Sequence, residues 1–439
     1  MIAQPDDGGK SNCLSEYAVF ARLPTMEHNT DPGKGKMEAF EAALNNFEQT
    51  QLNAAFGWTS SDEHAFTASV TQAGGMVHAS DFAYNLAVLS QLPKPQTPTP
   101  SQLRRRASLA TSIPVQLPPQ ASRSVHTVAI VNSDGDNIQL LQNDWVSRTH
   151  WNHPLRGRQP AGWSYSPAMA QLMPSVLAYA HRTSTINDSL STGPSGAGYA
   201  YPQLFDPRRR QLFAAATAQL MRESNMTLAN VIGVVPSYES VEALALESQV
   251  AAVVYFTFGV ADQGYSGLHG NVAYVHGTPV VGLRKNLWGD GKTGDKLTPS
   301  ALVRELQLLP KDPTDPQSYT LVVNELGNNY SEIVQTAQLL AADKGFDLVL
   351  PEELVRRLVT ATGAKQQCPM PTGSWAEQVG VLPKCWLPGD GTCVLSCDHL
   401  HLLPIPVRCD LSVCSNLSMP ASKRHFVCAD TGKICPGNR

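Results

Sequence analysis

The chain has 439 residues, 42% of them hydrophobic and 16% charged, with a formal net charge of −4. That length holds a large core and more than one domain, and the charge balance gives no electrostatic basis for nucleic acid or an acidic membrane as partner. No apolar run approaches the roughly 20 residues needed to cross a bilayer. No motif calls for a nucleotide, flavin or haem, so no cofactor is expected.

Residues 1–15 are polar and read as a loose, disordered N-terminus, and 16–362 as one domain of alternating strands and helices. Tyr17-Ala-Val-Phe-Ala-Arg-Leu23 reads as a strand, and Met37, Phe40, Leu44 and Phe47 share one face of a helix. Asn53–Trp58 is the next strand. A short helix from about Glu63 to Gln72 leads into the strand Met76–Ala79, with Asp81 just past its end. Residues 91–123 are proline-rich and carry Arg104-Arg-Arg106. They bury too little apolar surface to fold and read as a disordered insertion.

The centre of the chain is Val128-Ala-Ile-Val-Asn-Ser-Asp-Gly-Asp-Asn137. An apolar, β-branched run that ends in two aspartates predicts a buried strand delivering carboxylates to its C-terminal lip, where α/β proteins bind ligands. Ser166-Pro167 opens a helix with an apolar stripe from Met169 to Ala180, and Pro174 is a kink point within it. Ser189–Ser191 is a short strand entering Gly193-Pro-Ser-Gly-Ala-Gly-Tyr-Ala-Tyr-Pro202. Its glycines permit close backbone approach, and Tyr199 and Tyr201 offer flat faces with hydroxyl tips.

Asp206-Pro207 caps the following helix, and strands at Val231–Val235 and Val250–Phe258 flank another around Ser240–Glu247. Ala273–Leu283 reads as a hairpin turning at Gly277, and Thr298-Pro299 opens a helix. Ser318–Asn324 and Phe346–Leu350 are strands, with helices at Ser331–Ala342 and Pro351–Ala361. Regular alternation with acids at strand ends predicts an α/β fold, a TIM-like (β/α) barrel with an extra hairpin; a doubly wound open sheet is the alternative.

Cys13 stands apart from eight other cysteines, all within 366–439 and without repeated Cys-x2-Cys pairs. This predicts a small Cys-rich C-terminal appendage held by four disulfides rather than a zinc site. Together with sequons at Asn187, Asn225, Asn329 and Asn416 it predicts a secreted, extracellular glycoprotein. The opening Met1-Ile-Ala-Gln-Pro5 has neither the basic start nor the apolar core of a signal peptide, so the N-terminus is expected to be incomplete.

Gly196-Ala-Gly-Tyr-Ala-Tyr-Pro202 matches the motif that names the GxGYxYP putative glycoside hydrolases, and the chain resembles that family over roughly residues 15–360. The resemblance runs through Gly57-Trp58 with Asp62-Glu63, Ser80-Asp81 with Asn85-Leu86, Asp134–Asn137, Gly162–Pro167, and Gly270–Pro279 followed by Arg284 and Leu287-Trp288. It implies a barrel-like fold, a carbohydrate substrate, and in family members a further upstream domain that this chain is expected to lack.

Hydrolysis of a glycosidic bond commonly uses two carboxyl groups whose protonation is pushed apart by environment. The catalytic candidates are Glu63, Asp134 and Asp136; the substrate-binding candidates are Trp58, Asp81, Asn137, Trp163, Gly198, Tyr199, Tyr201 and Arg284. Each has a plainer explanation. Asp134-Gly-Asp-Asn137 is turn composition. Glu63 suits a solvated surface, Asp81 a helix cap at Phe82, the aromatics a core, Arg284 an ordinary ion pair and His269 the surface.

One departure from the family stands at Asn324-Glu-Leu-Gly-Asn328, where members tend to carry a His and a Trp; Glu325 is a further carboxylate there. Two other functions fit the composition. A metal-dependent carbohydrate deacetylase would use Asp134 and Asp136, but no His-x3-His pair accompanies them, His150 and His153 being nearest, and no metal site is expected. A non-catalytic carbohydrate-binding or cell-wall protein would keep the pocket without the chemistry. The sequence carries no signal of oligomeric state.

Overall fold

The computed structural model describes residues 2–4, 13–27, 42–44, 51–58, 63–93, 124–233, 238–257, 272–287, 296–325 and 327–362, with a few isolated positions. Most of the expected 91–123 insertion, the bulk of the Met37–Phe47 helix, His269, Trp288 and the disulfides of the 366–439 tail fall outside the described residues.

Four parallel strands open the chain: β1 (Ile2–Gln4), β2 (Thr25–Glu27), β3 (Asn53–Gly57) and β4 (Gly75–His78), in the order β2-β1-β3-β4. The expected strand at Tyr17–Leu23 is instead a helix, Ser15–Phe20. It buries Tyr17 and Ala18 and packs on the short helix Leu86–Leu89, whose Ala87 N–H donates to Glu16. A brief apolar run is compatible with either state, and burial of two adjacent residues on one side selects the helix.

The central sheet is parallel and contains β5 (His126–Asn132), β6 (Ala161–Tyr165), β7 (Asp188–Thr192), β12 (Lys285–Leu287), β13 (Lys296–Leu297), β14 (Tyr319–Asn324) and β15 (Phe346–Leu348). Its order is β13-β12-β14-β5-β6-β7, with β15 paired to the start of β5. All seven residues of β5 are buried, as its unbroken apolar run requires. A third sheet runs β10-β11-β9-β8, from β8 (Leu228–Gly233), β9 (Ala252–Thr257), β10 (Val272–Val275) and β11 (Thr278–Gly282). There β10 and β11 form the expected antiparallel hairpin about His276-Gly277.

The hydrogen-bonded strands therefore fall into separate sheets, and no closed barrel sheet forms among the described residues. The breaks have local causes. Between β7 and β8 the side chains of Thr192 and Asn230 take the ladder's place: Asn230 N donates to Thr192 Oγ1 at 2.8 Å and Asn230 Nδ2 to Thr192 O at 2.6 Å. The segment after β11 changes partner, with Leu283 N donating to Tyr255 O and the next amide, Arg284 N, to Leu321 O.

Two helix starts follow the sequence signals, whereas the one expected at Ser166-Pro167 comes later, at Met169, after Ala168 and without a side-chain cap. Asp206 Oδ1 accepts from Arg209 N at 3.0 Å to cap Pro207–Ser224, and Thr298 Oγ1 accepts from Ala301 N to cap Pro299–Leu306. The apolar stripe expected as one kinked helix is two, Met169–Leu172 and Pro174–Thr183, because Pro174 has no N–H to continue the first. Two apolar cores result. One lies under the helices that cover the central sheet. The other lies between the sheets and gathers Val131, Val254, Phe256, Val281 and Val323 with Tyr199 and Tyr201.

Candidate functional site

Three segments meet at the C-terminal lip of β5. The first is the turn Ser133–Asn137. Asp134 adopts a left-handed backbone at φ 64°, a conformation aspartate tolerates better than most residues because a short polar side chain can bond locally. Gly135 N donates to Ser164 Oγ at 2.9 Å, and that hydroxyl donates onward to Asn132 O at 2.8 Å. Gly193 packs on the other side of the same turn: a Cβ there would lie 2.5 Å from Asp136 N. Three backbones are thus stacked at contact distance, which only glycine permits.

The second segment is the tyrosine loop. It crosses to the first sheet through an antiparallel bridge, Val77 N to Tyr199 O and Tyr199 N to Val77 O, both 2.8 Å. Gly198 fits closely at that crossing, since a Cβ would lie 3.0 Å from the Met76 side chain, which would have to give way. Ala197 N donates to Thr217 Oγ1 and Tyr201 N to Thr71 Oγ1, fixing the loop to two helices.

The third segment is the start of the helix Glu63–Gln72. Tyr199 donates its hydroxyl to Glu63 Oε1 at 2.7 Å, and the hydroxyls of Tyr199 and Tyr201 are 3.3 Å apart. Half-buried Trp58 stacks on Tyr199 at 5.6 Å between centroids and 19° between planes, while His64 tilts against Tyr201 at 4.9 Å. Burial and the Glu63 charge push the Tyr199 hydroxyl well above the ordinary phenol range.

Asp136 is 7% exposed. Burial, then the charges of Asp134 and Glu63, raise its pKa well above the usual carboxyl value. Asn137 Nδ2 donates to Asp136 Oδ2 at 3.3 Å. Asp81 is buried in the turn after β4; that turn packs on the same segment, with Phe82 N donating to Gln139 Oε1 and Gln139 N to Ala79 O. The structure thus brings Glu63, Asp134, Asp136, Asn137, Tyr199, Tyr201, Trp58, Gly198 and the Asp81 turn to one end of the fold.

Two expected site residues lie elsewhere. Trp163 is fully buried on the helix-covered face of β6, parallel to Tyr330 at 5.4 Å and edge-on to Trp145 and Trp151, and its Nε1–H donates to Asp188. Alternation along β6 aims Trp163 into the core and Ser164 at the site, so the aromatic signal was core packing. Arg284 extends to Gln317 O at 3.5 Å and feels the charge of Asp315, at the N-terminal end of β14. The six residues of β14 put that end about 20 Å from the lip. Burial lowers the Arg284 pKa to about 10.

The site residue that sequence reasoning missed is Ser164; Asn132 and Asn324, in register with Trp163, brace the strand ends from the helix-covered side. Asn324 Nδ2 donates to Asn132 Oδ1 and Asn132 Nδ2 to Gly162 O, each at 3.0 Å, which ties together the tips of β14 and β5 and anchors them on the second residue of β6. Asn324 holds this place in the segment that departs from the family pattern. Glu325 caps its own turn through Gly327 N. His150 is committed to Asn328 O and Thr149, and among the described residues no three metal-ligating side chains gather.

Among solved structures the chain is similar to one described as a putative hydrolase from Bacteroides thetaiotaomicron, with 20% sequence identity and a TM-score of 0.65. The likeness covers 79% of this chain and 63% of that one, so the chain spans less than two thirds of that protein's length. No curated protein matches. The model of the GxGYxYP third domain matches residues 1–91, and that of the GxGYxYP putative glycoside hydrolase C-terminal domain matches residues 124–358. The gathered site draws Trp58 and Glu63 from the first match and both aspartates and both tyrosines from the second. With the second match alone covering more than half its length, the chain belongs to the GxGYxYP family.

Proposed function

We propose that the chain is a glycoside hydrolase acting on a poly- or oligosaccharide through two carboxyl groups. The carrying observation is the contrast between two neighbouring acids. Desolvation, then the charges of Asp134 and Glu63, favour the protonated form of buried Asp136, whereas Glu63 is a hydrogen-bond acceptor for Tyr199. In this reading Asp136 passes its proton to the glycosidic oxygen as the bond to the anomeric carbon breaks. Glu63, ionised, acts on the anomeric carbon directly or through a water, and Asp134 keeps the proton on Asp136 until it is needed. Trp58 offers a flat face to a pyranose ring.

In the same reading the three sheets derive from a (β/α) barrel, supported by the shared segment after β11 and by the side-chain bridge between β7 and β8. Secretion is part of the proposal. Asn225 and Asn329 are exposed for glycosylation, whereas the Asn187 side chain donates to Gly157 O.

The test is turnover of a panel of 4-nitrophenyl glycosides by wild type, Asp136→Asn and Glu63→Gln. Each substitution is expected to lower kcat by roughly 10²–10⁴ with an unchanged circular dichroism spectrum. Retained turnover in both variants refutes the assignment. Saccharide binding without turnover by wild type would leave a carbohydrate-binding protein instead.

A further inference from the structure

We infer that Asn286 is a substrate-binding residue whose carboxamide takes one hydroxyl of a neutral sugar unit; the inference rests on the saccharide reading of the site. Asn286 is the middle residue of β12 and is fully buried, yet neither its Oδ1 nor its Nδ2 has a hydrogen-bond partner. A carboxamide left so forfeits the solvation of a donor and an acceptor together, a cost native cores avoid unless the group serves a ligand or a water.

Its direction follows from register. Asn286 pairs with Val323, and Val323 with Val131. Paired residues of parallel strands face the same way, and both valines belong to the inter-sheet core that also holds Tyr199 and Tyr201. The Asn286 amide therefore points to the tyrosine side of the sheet, level with Val131 and one residue short of its own strand's end.

Its neighbours show the contrast. Asn132 and Asn324, one step nearer the lip, join strand tips through their amides, and Asn230 does the same between β7 and β8. Asn286 makes no such tie, and Arg284 on the same segment is turned to Gln317 O. An amide presents one acceptor and two donors without charge, and a sugar hydroxyl donates once and accepts. A single hydroxyl engages both amide atoms, and a carboxylate or phosphate would engage only the donors.

The experiment compares wild type with Asn286→Leu, close in volume and apolar, by thermal unfolding and by ligand-induced thermal shift with cellobiose, maltose, lactose and chitobiose. Expected are an unfolding temperature equal to or above wild type and an affinity for the bound disaccharide reduced about tenfold or more. A lowered unfolding temperature would mean that the amide holds the fold together, and unchanged affinity that it holds only a water; either overturns the inference. If Asn286→Leu does not fold, Asn286→Ala is read for affinity alone against the same expectation. Should Asp136→Asn lose turnover while Asn286 variants bind normally, only this inference falls. Should wild type bind none of the four sugars, this inference and the saccharide reading fall together.

Discussion

Gly135 separates the two aspartates, and the structure leaves no room for a side chain there. A Cβ would lie 2.1 Å from both the carbonyl carbon and oxygen of Ser164 and 2.5 Å from Tyr165 N, where ordinary contact begins at 3.4 Å. The overlap exceeds an ångström and falls on backbone, which has no rotamer to swing away. β6 cannot recede, because β5 and β7 hold it on both sides. Nor can the turn shift outward, because Gly193 lies against Asp136 N. Gly135→Ala is therefore expected to destabilise the fold by about 3 kcal/mol or more, the upper range of overpacking. Gly277→Ala is the control: its φ is +84°, but nothing lies within 4 Å of the added carbon. That substitution should cost only about 1–2 kcal/mol of left-handed strain. Urea unfolding of both variants gives the comparison. The surviving folded Gly135→Ala should also lose turnover, because any accommodation moves Asp134 and Asp136. A Gly135→Ala stability within 1 kcal/mol of wild type, or no worse than Gly277→Ala, would refute the close stacking of the three backbones.

Two further predictions follow from the same placement. Asp136 has a raised pKa in the fold, so its contribution to stability is greatest where the unfolded chain also keeps this carboxyl protonated, and is lost as pH rises from about 4 through the folded value. Asp136→Asn cannot ionise, so its stability relative to wild type should increase from pH 4 to pH 8 in urea melts; a constant difference would contradict the raised value. Arg284→Met, far from the lip, should alter stability but leave kcat within about threefold of wild type, and a large kcat loss would return Arg284 to the site.

Local signals carried much of the architecture. Asp206-Pro207 and Thr298-Pro299 are self-contained instructions: an acceptor side chain and a proline without an N–H start a helix wherever the chain runs. The seven-residue β5 was legible because a run so apolar has no other stable home. Where two elements of similar length and composition compete, the local signal was ambiguous. Tyr17–Leu23 had the residues of a strand and became a helix because the helix Leu86–Leu89 covers one side of it. Trp163 and Trp58 illustrate the same limit at the site. Both stand in glycine-tryptophan pairs, but one is sealed among Trp145, Trp151 and Tyr330, and the other stacks on Tyr199 beside Glu63. Which face a residue takes depends on strand phase, and a shift of one residue reverses it.

The amino-acid order by itself determined that β5 is a strand delivering acids, where the helices opened by Asp206-Pro207 and Thr298-Pro299 begin, and which loop must have glycine to pass close to its neighbours. Those properties rest on steric and solvation preferences that act within a few residues. Tertiary structure alone decided that Glu63 meets Tyr199 across 136 positions of chain and that Asp136 is dehydrated beside two other carboxylates. It also decided that Arg284 turns to the far end of the sheet and that Asn286 keeps an idle amide in the core. The physical reason is that charge coupling and desolvation depend on which groups are close in space and on what excludes water around them, and chain order specifies neither.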